Sequence, residues 1–173
     1  DTVLSRGLGD VYKRQNGEVA VDTETSSLDP HNTDLIGISL STKIGKACYI
    51  PIGHKTKKNI DKDKVLKKLK PLLEDSSIKK IGQNIKFDFI VLYKNGIDIT
   101  SVEDTMLMSY VLDAGKNRHN MDTLSEIHLN HKTVAFKDVV GSGKKEINFS
   151  QVDIEKAKDY AAEDADITLR LYK

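Results

Sequence analysis

The stretch VAVDTETSSLD, Val19 to Asp29, places two carboxylates, Asp22 and Glu24, two residues apart directly after an apolar run. On a strand, that spacing points both to one face. Side by side they repel, and burial of either one unpaired is costly. Two further acidic signals stand where compensation can be built. GQNIKFD sets Asn84 and Asp88 four apart, on one helical face if a helix begins at Asn84, and YAAEDAD does the same for Tyr160 and Asp164. Asp164 is flanked by Ala161, Ala162 and Ala165, small side chains that let a backbone approach closely. Asp22, Glu24, Asp88 and Asp164 can thus converge on one end of a sheet. At an effective dielectric near 20, each like-charged pair about 4 Å apart costs about 4 kcal/mol. Such a cluster becomes favourable around hard divalent cations, and all-oxygen ligation suits Mg²⁺ or Mn²⁺. Two such ions balance four carboxylates, which is the charge arithmetic of two-metal phosphoryl transfer.

The elements that must position these acids follow from periodicity. Glu18–Thr25 reads as a strand, followed by a turn around DPHN and two more strands at Leu35–Ser41 and Lys46–Ile50. Asp61–Glu74 has helical spacing at Val65, Leu66, Leu69, Leu72 and Leu73, with Pro71 in the last turn. A short strand at Ile78–Gly82 leads into a helix at Asn84–Tyr93, ended by NG; a further strand is expected at Ile97–Thr100. Helices follow at Thr105–Leu112 and Met121–Leu129. A long final helix runs from about Gln151 to Tyr172, with Ser150 as N-cap. Three early strands and then alternating helices and strands predict an α/β domain with a mixed sheet.

Length and composition set the outer bounds. A chain of 173 residues, 38% hydrophobic and 31% charged, reads as one globular domain with a substantial core. No segment approaches the roughly 18 apolar residues of a membrane span, no signal-peptide run opens the chain, and a cytoplasmic setting is expected. The single cysteine, Cys48, excludes an internal disulfide. With a net charge of +1, any basic surface must be local. Lys55–Lys70 reads as a solvated helix face with its lead-in loop. The segment SRGLGDVYKRQ, Ser5 to Gln15, resembles one reading frame of a transposase-based sequencing adapter and holds two of the four arginines. Residues 1–15 are therefore set aside as non-native, and residues 16–173 as the domain.

Taken together, VDTETSSLD, KPLLED, GQNIKFD, DTMLMSYVLD, RHNMDTLSE, HKT and YAAEDADITLRL resemble the 3′–5′ exonuclease domain of bacterial DNA polymerase I. The resemblance covers essentially all of residues 16–173, in order and spacing. It implies a ribonuclease H-like fold with a mixed, mostly parallel sheet flanked by helices, and the tyrosine-bearing branch of the DEDD exonucleases. It further implies two divalent cations, Mg²⁺ or Mn²⁺, held by Asp22, Glu24, Asp88 and Asp164, with Tyr160 as the fifth catalytic residue. All five are present, so the domain reads as catalytically competent. By the same resemblance Leu28 and Phe136 wedge or stack against the terminal bases, with Met121 alongside. Gln83 and Asn84 are candidates either to support the site from behind or to contact the terminal nucleotide. Arg118, one of two arginines in residues 16–173, is a planar bidentate donor that suits a phosphate or carboxylate. Phe87 departs from the tyrosine common in the family before the aspartate. The expected partners are a single-stranded or frayed DNA 3′ end and a polymerase domain in the same longer chain, with the protein a monomer. A ribonuclease D-like RNA exonuclease and a binding module that holds a 3′ end without cleaving it are the rival readings.

Three other features do not carry chemistry. GSGKK, Gly141–Lys145, lacks the upstream glycine and the following Ser/Thr of a P-loop. His119, His128 and His131 have no cysteine partners at zinc spacing and read as surface residues. Asp104, in EDTML, reads as a helix N-cap rather than a fifth ligand.

Overall fold

The computed structural model describes residues 17–55 and 58–173; the adapter-like segment 1–15 lies outside them. Strand β1 (Glu18–Thr25) is the axis of a five-stranded sheet. Strands β2 (Leu35–Lys43) and β3 (Lys46–Pro51) follow it as antiparallel neighbours. β4 (Lys79–Gly82) and β5 (Val102–Asp104) extend the other side in parallel, giving the order β3-β2-β1-β4-β5. The sheet is mixed as expected, though its four pairings divide evenly between antiparallel and parallel.

Alternation along β1 sorts its side chains between two layers. Val19 and Val21 pack with Val65, Leu69, Leu72 and Leu73 of helix α1 (Lys62–Leu73) and with Val91 and Leu92 of α2 (Lys86–Lys94). Ala20 faces the other way, against Ile81 and Leu169 of the long helix α6 (Ile154–Tyr172). α6 presents the fully buried Ala157, Ala161 and Ala165, so its backbone lies close over the sheet. Glycine is required opposite it at Gly37, where a Cβ would sit 2.2 Å from the Tyr49 hydroxyl. Between α2 and α6 the chain forms α3 (Thr105–Asp113), α4 (Met121–Leu124) and α5 (Phe136–Val140).

Several boundaries differ from the sequence expectation, each for a local reason. α2 starts at Lys86, because Asn84 takes a left-handed conformation (φ 63°) and lies outside the helix. Ile97–Thr100 forms no strand: Ile97 and Ile99 are buried in the core, while Thr100 N–H bonds the Leu73 carbonyl at the end of α1. The ladder resumes at β5, after the left-handed Ser101. The helix expected at Met121–Leu129 passes from α4 into a π-helical turn at Ser125–Leu129, closed by left-handed Asn130. α6 begins at Ile154 under an Asp153 cap rather than at Gln151 under Ser150. Asn148 and Gln151 form a reciprocal capping box that spends residues 149–151 on a separate 3₁₀ turn.

At the end of the sheet remote from Asp22 and Glu24, Lys80 is fully buried. Its ammonium donates to the Asp75 and Ile78 carbonyls at 2.7 and 2.6 Å and reaches the Thr100 hydroxyl at 3.4 Å. Burial lowers its pKa to about 8. The charge is housed by backbone acceptors, as burial of an ammonium demands. Among the described residues, no helix is long and apolar enough to cross a membrane.

Candidate active site

Asp22 and Glu24 share the α6 face of β1, as their spacing requires. Across the β1–β2 pairing they lie opposite Ser39 and Gly37, and the Tyr49 ring lies over Gly37. α6 supplies Tyr160 and Asp164 one turn apart, close enough for the Tyr160 hydroxyl to lower the Asp164 pKa. One carboxylate oxygen from each of Asp22, Glu24 and Asp164 lies within 4.8 Å of the others. Glu24 and Asp164 are 7% and 8% exposed, so little water is available to soften the repulsion.

Asp88 arrives from the opposite layer. It projects from the first turn of α2, and its Oδ1 accepts from the Thr23 backbone N–H at 2.9 Å and the Thr23 hydroxyl at 2.5 Å. Thr23, between the two strand acids, points to the α2 face and binds the fourth acid there. The structure thus gathers three of the four carboxylates directly and holds Asp88 beside them through Thr23. Sequence reasoning passed over Thr23; the signal was a hydroxyl at the one position of the D-x-E that faces away from the pair.

The electrostatics follow from this crowding. Burial raises the Asp22 carboxyl well above the carboxylate range, and the Asp164 charge adds to it. Glu24 is raised by burial and then by Asp22, Asp164 and Asp88. Asp88 is raised by burial and by Asp22, against which the two Thr23 bonds pull downward. Asp164 stands at about 7, raised by burial and held down by the Tyr160 hydroxyl. Tyr160 is itself pushed up, first by burial and then by the acids. Glu24 Oε1 is buried with no hydrogen-bond partner, the one carboxylate oxygen so placed among the described residues. Converging hard oxygens, a surplus of negative charge and an orphaned acceptor fit a divalent cation.

These groups floor an open cleft of about 850 Å³. Its rim carries Leu28, 90% exposed on the β1–β2 loop, and Phe136, 43% exposed at the start of α5. Asn84, Phe87 and Phe149 line it, with Asn120 and Asn148, two neutral amides that sequence reasoning missed. Asn148 ties the rim together, donating from Nδ2 to the Ser26 carbonyl at 2.7 Å. Three expected contacts stand back from the lining. Gln83 spends its amide on the His119 carbonyl (2.8 Å) and the Thr105 hydroxyl (2.5 Å). Met121 is half-buried at the start of α4, and Arg118 is exposed two residues before Asn120. Asp104 caps α3 through Met106 N–H at 2.9 Å, as expected, and also accepts from Asn84 and Ile85 N–H at 3.0 and 3.1 Å. That second role fixes the turn that launches α2, and with it Asp88. Of the three histidines, only His128 is simply exposed. His119 bonds the Ser109 hydroxyl at 2.9 Å, and His131 pairs with Glu163 at 2.8 Å, anchoring the loop that leads to Phe136.

The sequence matches the family described as 3′–5′ exonuclease over residues 7–173. The chain belongs to that family. It is 45% identical to DNA polymerase I of Rhizobium leguminosarum, covering 98% of this chain and 18% of that protein. It is 42% identical to DNA polymerase I of Pseudomonas aeruginosa, covering 100% of this chain and 20% of that protein. The exonuclease chain thus spans about a fifth of the length of these relatives. The solved structure of Brucella melitensis NrnC with bound Mg²⁺ is 28% identical and superposes with a TM-score of 0.70, covering 94% of this chain and 73% of that one. The ribonuclease H-like fold implied by the sequence motifs is the fold of this exonuclease.

Two measurements probe the site without relying on turnover. Thr23→Val keeps the backbone bond to Asp88 and removes the hydroxyl bond. It is expected to destabilise the domain by about 1–2 kcal/mol in urea unfolding and to weaken Mn²⁺ binding by about tenfold in calorimetry. The second concerns pH. Asp164 has a folded pKa of about 7 against about 3.9 unfolded. Between those values the folded chain holds a proton that the unfolded chain has lost, so stability falls as pH rises through that window. The other raised carboxyls act in the same direction. In EDTA the melting temperature should therefore be lower at pH 8 than at pH 6, and Mg²⁺ or Mn²⁺ should remove most of the difference. A flat or rising profile in EDTA would contradict the site's electrostatics.

Proposed function

We propose that the chain is a metal-dependent exonuclease that removes nucleotides one at a time from DNA 3′ ends, as the proofreading part of a longer DNA polymerase I. The observation that carries this reading is the orphaned Glu24 Oε1 among three carboxylates, on the floor of a cleft with an exposed leucine and phenylalanine at its rim. The DNA polymerase I relatives support the substrate class and the polymerase context, and NrnC with bound Mg²⁺ supports the metal. Two divalent cations, Mg²⁺ or Mn²⁺, held by Asp22, Glu24, Asp88 and Asp164, would neutralise the acids and supply Lewis acidity at the scissile phosphate.

The remaining work belongs to the chain's own side chains. Tyr160 keeps its proton, because burial and the neighbouring acids push its pKa upward. It is therefore suited to orienting the attacking water by a hydrogen bond rather than to deprotonating it. Attack breaks the bond between phosphorus and the 3′ oxygen and releases a 5′-mononucleotide. Phe136 stacks on a terminal base, a sequence-tolerant contact worth about 1–3 kcal/mol, and Leu28 wedges beside it. Asn84, Asn120 and Asn148 offer uncharged donors to the sugar-phosphate backbone. Arg118 lies on the exposed loop before Asn120, where a phosphate further along the strand can meet it.

The test is a 5′-labelled single-stranded DNA oligonucleotide incubated with Mg²⁺ or EDTA. Wild type should give a ladder that shortens from the 3′ end only with Mg²⁺. Asp164→Ala should slow it by more than about a hundredfold. RNA of the same sequence degraded faster than DNA would reassign the substrate, and folded protein that holds both intact would make the domain a binding module.

A further inference from the structure

Behind the cleft lies a buried histidine that the proposed chemistry does not use. His54 follows β3, is 4% exposed, and is bonded through both ring nitrogens. Nδ1 lies 3.1 Å from the Val152 carbonyl, and Nε2 lies 2.7 Å from the Tyr49 hydroxyl. A carbonyl only accepts, so Nδ1 carries the proton, and Nε2 accepts from Tyr49. The His54 main chain is clamped as well: its N–H donates to Asn59 Oδ1 at 2.8 Å, and its carbonyl accepts from Asn59 Nδ2 at 2.5 Å. One residue on, Lys55 N–H donates to the Ser150 carbonyl at 2.7 Å. Burial lowers the His54 pKa, which keeps the ring neutral and this tautomer fixed.

The ring does more than join two loops. Its centroid lies 5.8 Å from Phe149, itself 3% exposed, and Phe149 lies 6.1 Å from the ring of Tyr160. Phe149 also stacks at 6.2 Å, nearly parallel, on Phe136. Tyr160 is thus backed by Phe149, and Phe149 by an imidazole fixed in orientation by two hydrogen bonds. Without that backing, the Tyr160 ring has, among the described residues, only Phe136, on the rim, as an aromatic ring neighbour.

We infer that His54 is a positioning residue: it holds Phe149 against Tyr160 and so sets the direction in which the Tyr160 hydroxyl points across Asp164 into the cleft. This inference rests on the exonuclease reading. A group that acts through Tyr160 has no effect once the Tyr160 hydroxyl is gone, which a double-mutant cycle detects.

The experiment measures kcat and KM on single-stranded DNA with saturating Mg²⁺ for wild type, His54→Ala, Tyr160→Phe and the double variant, each verified as folded by circular dichroism. His54→Ala is expected to lower kcat about tenfold, with KM moving less than about threefold. In the Tyr160→Phe background it should cost less than about twofold. Tyr49→Phe keeps the core volume but frees His54 Nε2. It should give a smaller loss, about threefold, that likewise vanishes in Tyr160→Phe, and it serves where His54→Ala does not fold. Losses that multiply in either double variant, or full activity in both single variants, would overturn the inference while leaving the exonuclease reading intact. A wild-type chain that cleaves nothing would overturn both.

Discussion

Repulsion among crowded carboxylates, three of the four buried, is the constraint on which the rest of this structure depends. Asp22, Glu24 and Asp164 present oxygens within 4.8 Å of one another, and Asp88 is held close behind them. Left to themselves these groups would spread into solvent or take up protons. The contrast with Lys80 is instructive: that buried charge receives two backbone carbonyls and a hydroxyl from the fold. Glu24 Oε1, equally inaccessible, receives nothing. Where the protein can satisfy a buried charge from within it does so, and at Glu24 it leaves a place for a ligand of opposite sign.

Holding like charges together requires a rigid frame, and each acid has its own support. β1 is paired with β4 as far as Ala20 and with β2 through Thr25, so the β2 ladder fixes the spacing of Asp22 and Glu24. Asp164 sits on a helix brought down on the sheet by Ala157, Ala161 and Ala165. Asp88 is tied to Thr23, and its helix is launched from a turn whose two N–H groups are pinned by Asp104. Asn148, bonded to Ser26, steadies the rim above them. Such preorganisation is what electrostatic catalysis demands, because nothing then has to be reordered as charge develops.

The acids themselves were legible in the sequence, and so was the strand that carries two of them, to the residue at both ends. Period-two alternation and a D-x-E at the end of an apolar run are local signals that tertiary contacts rarely override. The errors lie where a longer-range contact settles local geometry. Asn84 reads as helical by spacing with Asp88, yet the Asp104 carboxylate, twenty residues on, holds it in the left-handed region. Ile97 and Ile99 alternate like a strand but are satisfied by packing in the core, beside a backbone bond to Leu73. Ser150 is a good cap by type, but Asn148 captures its N–H first. His54 gave no signal at all, since its importance comes from Phe149 and Val152, nearly a hundred residues away in the chain.

Burial and mutual repulsion raise these carboxyls, so a divalent cation that binds them should displace protons. Calorimetric titration of the domain with Mn²⁺ near pH 7, in buffers of different ionisation enthalpy, reads this directly, because binding heat then varies with the number of protons released. Saturable binding with measurable proton release is expected, both lost when Asp22 and Glu24 are replaced by their amides. Saturable binding with no proton release would contradict the electrostatics of the site, and no binding by folded protein would contradict the metal centre itself.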